Sequence, residues 1–178
     1  EKAGITFDKV DYVGYSLNPE VRLRRNTQHQ HPYEVTPRDF GTKEGEVIFY
    51  QKNIQVEEKV RKLGFKQKFF YLNHHDCHAA SSYFVSAFDE AAVLVVDGIG
   101  EFESTTWYQG TGNKLKKMGN IDFPNSLGFL WEKICKYLGF SEYDACKVMG
   151  LASYGDSARY QKDLRKLIII NPEGKFTI

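Results

Sequence analysis

The sequence predicts an α/β fold in which mixed sheets are flanked by helices, and three observations carry this reading. Residues 91–96 form a nearly unbroken apolar run, AAVLVV, which suits a strand buried on both faces. Residues 68–72, KFFYL, read as a short aromatic strand that leads directly into a helical stretch over 74–88. Residues 104–109 and 114–120 flank Gly110-Thr111-Gly112-Asn113, a hairpin signal.

Composition supports a folded chain. Of 178 residues, 42% are hydrophobic and 15% aromatic, so a core can be buried and a folded rather than a disordered chain is expected. A net charge of +1 gives no reason to expect a nucleic-acid or membrane-surface partner. Three cysteines, Cys77, Cys135 and Cys146, are too few and too scattered for a disulfide scaffold. They fit a reducing, cytoplasmic setting, with Cys77 and Cys146 read as small buried or semi-buried residues. No apolar run has transmembrane length, and the N-terminus does not resemble a signal peptide. The absent initiator Met and an ending inside a strand-like stretch suggest a piece of a longer protein.

In chain order, residues 10–17 alternate as a strand and stop at Asn18-Pro19. Residues 21–25, VRLRR, would grip phosphate or an acidic substrate, or else form a solvated charged segment, the reading the neutral overall charge favours. His29 and His31, two apart before Pro32, could meet a metal in an extended loop, although a surface loop is the reading favoured. Residues 37–63 are mostly helical, and Leu63-Gly64 is a stop signal. The helix over 74–88 places Ala79, Ala80, Tyr83, Phe84 and Ala87 on its packing face. Pro124-Asn125-Ser126 opens a helix over 127–138 that ends at Gly139. Residues 144–155 are loop-like with a short helical centre. Residues 158–167 read as a helix, and a terminal hairpin turns around Asn171-Pro172-Glu173-Gly174.

Two stretches carry chemistry. In Asn73-His74-His75-Asp76-Cys77-His78, the imidazoles of His74 and His78 are four apart and share one helix face. Two neutral imidazoles on one face can chelate a divalent cation, although such a pair is also an ordinary polar helix face. The pair follows a strand directly, at the edge where open α/β sheets place ligands. His75 points elsewhere and suits a supporting or substrate contact. Asp76 has the default reading of a helix cap. The second stretch is Asp97-Gly98-Ile99-Gly100-Glu101. A tight turn is its plain reading. After a buried strand, its glycines also let the backbone approach an anion, with Asp97 facing a bridging cation. Asp97 would complete a mixed His/Asp site. Lys147 alone reads as a solvated charge. Neither Ser126 nor Asp144 has a nucleophile's setting, and no triad is recognisable.

A strand, an Asp-Gly-x-Gly turn and a hairpin form the opening of one lobe of the actin-like, hexokinase-type ATPase fold. On that reading residues 1–89 are part of a first lobe whose N-terminal strands are missing. Residues 90–178 start a second, truncated lobe.

Three ordered motifs, HHDCHAASSYFVSAFDEAAVLVVDGIGE, PNSLGFLWEKICKYLGF and KVMGLASYG, resemble the carbamoyltransferase family, which includes nodulation-type and antibiotic-tailoring O-carbamoyltransferases. The resemblance covers residues 69–155. It implies an actin-like N-terminal domain joined to a C-terminal activating domain of the same protein. The activating domain would make carbamoyl adenylate from carbamoyl phosphate and ATP. The actin-like domain would pass the carbamoyl group to a small-molecule hydroxyl at a divalent metal site, usually iron(II). The resemblance makes His74, His78 and Asp97 the metal ligands, and places Asp97, Gly98, Gly100 and Glu101 at the nucleotide phosphates. It puts Asn125, Ser126 and Lys147 in segments that line the acceptor, or substrate, side, and His75 and Lys147 are the expected catalytic residues.

The chain departs from the family pattern where Ser153 replaces a frequent Pro, and where Ala145-Cys146 replaces an acidic-Gly pair. A further carboxylate ligand and the activating domain would lie beyond residue 178, so the chain alone is expected to be inactive. Two other functions fit less well. One is a tRNA threonylcarbamoyl-transfer protein, against which the paired His74-His75 and KVMGLASYG argue. The other is a non-catalytic nucleotide-binding or assembly domain.

Overall fold

A computed structural model of the chain describes residues 4–26, 42–141 and 144–178. His29, His31 and the start of the helical stretch expected over 37–63 lie outside the described residues. The fold is mixed α/β. The chain divides into two compact units. One gathers the described residues up to Ala87 together with Gly100–Phe102. The other comprises Phe88–Ile99 and Glu103–Ile178.

The first unit is built on two short parallel strands, β1 (Tyr12–Tyr15) and β2 (Lys68–Tyr71), paired from Tyr12↔Lys68 to Tyr15↔Tyr71. A parallel pair needs a long crossover, and the intervening chain supplies helices α1 (Pro19–Asn26), α2 (Lys43–Asn53) and α3 (Gln55–Lys62). Pro19 is placed at the first turn of α1, where its missing N–H costs nothing. Thr42 caps α2 by accepting the Gly45 N–H at 3.0 Å. Gly64 ends α3 with φ of +100°, a backbone that L side chains resist. Strand β2 then feeds α4 (His74–Tyr83). Phe65, Ala79 and Tyr83 are buried in the core.

The reading of residues 21–25 as a solvated segment is corrected at Arg22, whereas Arg24 is exposed. These residues lie in α1, and Arg22 is buried against Glu46 of α2. The sequence shows a basic run but not the acid that a second helix brings to it. Helix α4 is also shorter than the stretch 74–88. Ser81 and Ser82 turn their hydroxyls onto the carbonyls of His78 and Ala79, a local competition that weakens a helix end.

The second unit is an antiparallel meander of β3 (Glu90–Val96), β4 (Glu103–Thr111) and β5 (Lys114–Asp122), in the order β3-β4-β5. Gly112, with φ of +56°, and Asn113 make the two-residue turn between β4 and β5. Trp107 lies opposite Gly119, whose missing side chain makes room for the indole. The expectation that residues 91–96 are buried on both faces is overturned. Strand β3 is an edge strand paired only with β4 among the described residues, and its exposure alternates, with Leu94 and Val96 exposed. Central β4 is the buried strand, despite its Ser and Thr residues.

Ser126 caps α5 (Leu127–Tyr137), and Gly139 follows its end with φ of +85°. Helix α6 (Ala145–Ala152) occupies the centre of residues 144–155, and Cys146 is exposed on it rather than buried. Helix α7 (Gln161–Leu164) spans a single turn instead of residues 158–167. All of its side chains are exposed, so no packed face extends it. The two-residue strands β6 (Ile169–Ile170) and β7 (Phe176–Thr177) form the terminal hairpin. No helix among the described residues is long and apolar enough to cross a membrane.

Candidate functional site

Two residues separate the end of β2 from the start of helix α4. Asn73 is the cap: its side-chain oxygen accepts the Asp76 N–H at 3.0 Å. This corrects the reading of Asp76 as the cap. Asp76 is the third helical residue and supplies the N–H that is capped. Its negative charge still favours the first turn.

His74 and His78 face each other one turn apart, with their Nε2 atoms 3.1 Å apart. The His74 Nδ1 is 2.7 Å from the Ser16 carbonyl oxygen. A carbonyl only accepts, so Nδ1 carries the proton and Nε2 of the neutral ring presents its lone pair. That arrangement prepares an imidazole for a cation, because the second nitrogen is held by a backbone acceptor. Two nitrogens bound to one cation at about 2.0–2.1 Å stand roughly 3 Å apart. The observed separation therefore suits a shared cation, and the donor set fits a divalent metal.

The neighbours of the pair are more deeply placed. His75 is wholly buried, and its ring packs on Gly100. A Cβ at Gly100 would come within 2.9 Å of His75 Cδ2, so packing requires glycine there. The Glu101 carboxylate is also wholly buried. It accepts the Asn18 N–H at 2.7 Å, the Asn73 side-chain amide at 2.8 Å and the His74 N–H at 3.0 and 3.1 Å. Arg22 donates to the Gly100 carbonyl at 3.0 Å. Burial, reinforced by the charges of Asp76 and Glu101, pushes the Cys77 thiol up, which disfavours the thiolate.

In the second unit, Asp97 follows β3. Its N–H donates to the Ser104 carbonyl at 2.9 Å, and its Oδ1 accepts the Gly98 N–H at 2.6 Å. Ser126 ties this corner to α5. Its hydroxyl donates to the Gly98 carbonyl at 2.6 Å and accepts the Phe129 N–H at 3.1 Å. Gly128 lets α5 approach, since a Cβ there would lie 2.5 Å from Gly98 N. The Asn125 side-chain oxygen accepts the Ile178 N–H at 3.0 Å, and the Asn125 main-chain carbonyl accepts the Ser104 hydroxyl. Lys147 pairs with Asp144 at 2.7 Å. That ammonium, with hydrogen bonds from Ser141, lowers the Asp144 carboxyl to about 2.

The structure thus brings His74 and His78 together, and sets Gly100 and Glu101 beside His75 and His74 in the first unit. Asp97, Gly98 and Ser126 form a cluster in the second, and Lys147 stands on α6. Sequence reasoning gave no role to Ser16, Glu46, Asn73 and Gly128, and read Arg22 only within the basic run of residues 21–25. Only Asn73 had a local signal, a capping residue directly before a helix. Ser16 contributes a main-chain oxygen, which no side-chain pattern reveals.

A family model described as the carbamoyltransferase N-terminus matches residues 36–172. An uncharacterized protein of Synechocystis is 34% identical over 99% of this chain and 30% of its own length. Nodulation protein NolNO of Sinorhizobium fredii is 38% identical over 51% of this chain and 13% of its own length. Nodulation protein NolO of Bradyrhizobium diazoefficiens shows the same identity over 17% of its length. The chain spans less than a third of each of these relatives.

Proposed function

The chain belongs to the carbamoyltransferase N-terminus family, and from that premise we propose that it forms part of an actin-like O-carbamoyltransferase. In this reading the carbamoyl donor is carbamoyl adenylate. It is made from carbamoyl phosphate and ATP by an activating domain of the same protein. The acceptor is a small-molecule hydroxyl. His74, His78 and Asp97 hold a divalent cation, iron(II), and Gly98 after Asp97 lets the backbone approach the nucleotide phosphates.

The observation that supports this most is the imidazole pair of His74 and His78, 3.1 Å apart with the His74 tautomer set by Ser16. Bound there, the cation supplies Lewis acidity toward a carbamoyl carbonyl. The chain's own part is preparation. Ser16 holds the His74 ring proton, which leaves Nε2 unprotonated. Helix α4 holds His78 in register one turn away. His75 is buried, so its role in this reading is to support α4 against Gly100.

The test is carbamoyl transfer by the full-length protein given carbamoyl phosphate, ATP, iron(II) and a hydroxyl acceptor. Product formation is expected, with at least a hundredfold loss in His74→Ala and His78→Ala, as roughly expected when a metal ligand is removed. Undiminished turnover in both variants sinks the reading.

A further inference from the structure

We propose that Glu101 is the positioning residue of the imidazole pair. Its single carboxylate holds both main-chain segments that define the state of His74. One oxygen accepts the Asn18 N–H at 2.7 Å, two residues beyond Ser16, whose carbonyl takes the His74 ring proton. The same carboxylate accepts the His74 N–H through both oxygens, at 3.0 and 3.1 Å. Its second oxygen also accepts the Asn73 amide, whose other end caps α4. The donor and the acceptor of the Nδ1–H···O bond are therefore referenced to one buried group.

The carboxylate itself is held in place. Arg22, locked by two hydrogen bonds to Glu46, donates to the carbonyl of Gly100, the residue before Glu101. Gly100 packs on His75, the residue after His74. A buried anion at the first turn of α4 also opposes the positive end of the helix dipole. That effect alone would make Glu101 a stabiliser of the helix. The shared hold on Asn18 and His74 gives it the further role of fixing which nitrogen of His74 carries the proton. An amide in its place offers one accepting oxygen and turns an N–H toward other N–H groups.

This inference rests on the cation reading for its consequence, but its first readout does not need a cation. In the full-length protein without metal, the ring ¹⁵N shifts of His74 should report a single Nδ1–H tautomer. Glu101→Gln should turn this into a mixture. Titration with cobalt(II) alone should show about a 10- to 100-fold loss of affinity in the same variant, as is usual when a group behind a metal-bound histidine is lost. Asn73→Ser keeps a capping oxygen but removes the amide that Glu101 accepts. It should shift both readouts in the same direction by less, and it serves if Glu101→Gln does not fold. A lowered melting temperature with His74 shifts and cobalt(II) affinity unchanged overturns the proposal. A wild-type protein that takes up no cobalt(II) overturns the cation reading. The tautomer readout then decides the role of Glu101 by itself.

Discussion

Arg22 and Glu46 meet as a buried bidentate pair, Nε to Oε2 at 2.8 Å and Nη2 to Oε1 at 3.0 Å. Their side chains are 4% and 0% exposed. Removing either partner leaves the other charge buried without its counterpart, which costs about 3–5 kcal/mol. Arg22→Met and Glu46→Leu should each destabilise the protein by that amount in urea denaturation. The double variant should cost clearly less than the sum, because no charge is left stranded. Strictly additive losses would mean that the pair is not coupled.

Ser126 joins the start of α5 to the corner after β3. Ser126→Ala removes a helix cap, worth about 1 kcal/mol, and a buried hydrogen bond to Gly98 of similar worth. A loss of about 2 kcal/mol at an unchanged denaturant slope is expected. A variant as stable as the parent would show that the hydroxyl holds nothing.

Gly128 presents opposing effects. Alanine inside a helix is favoured over glycine by about 1 kcal/mol. Here the new methyl would lie 2.5 Å from Gly98 N and 2.8 Å from Asp97 C. Both are backbone atoms, which cannot swing aside as a side chain would. Crowding of this kind costs about 1–3 kcal/mol, and rigid neighbours place it at the upper end. Gly128→Ala should therefore destabilise by about 1–2 kcal/mol and shift the Asp97 amide resonance. A stabilised variant would count against the close approach.

Asp144 carries a pH signature. Its carboxyl is lowered to about 2, first by the Lys147 ammonium and then by Ser141. The folded value lies below the unfolded one, near 4. The contribution is therefore complete above about pH 4 and is lost as pH falls toward about 2. Lys147→Ala should raise the Asp144 midpoint in an NMR titration, while Lys147→Arg should largely preserve it. A midpoint indifferent to Lys147→Ala would remove the ion pair as its cause.

Much of this protein was legible locally. The spacing of His74 and His78 placed two imidazoles on one face, because helical periodicity depends only on sequence separation. The Gly112-Asn113 turn, the Ser126 cap and the stop at Gly64 followed from backbone chemistry within a few residues. The three family motifs were equally readable in order. What failed was burial. A run of apolar residues in β3 and a run of arginines in α1 each suggested an environment, but the environment depended on which strand or helix stood beside them.

Tertiary structure alone decided the rest. It set Glu46 against Arg22 across 24 residues, brought the Ser16 carbonyl to the ring of His74 across 58, and placed Glu101 beneath the first turn of α4 from 27 residues away. These are hydrogen bonds, several to main-chain atoms, and no side-chain pattern encodes a main-chain partner. The sequence by itself determined that two imidazoles would share a face. Only the folded chain determined which nitrogen of His74 holds the proton, because that choice belongs to an acceptor supplied from another segment.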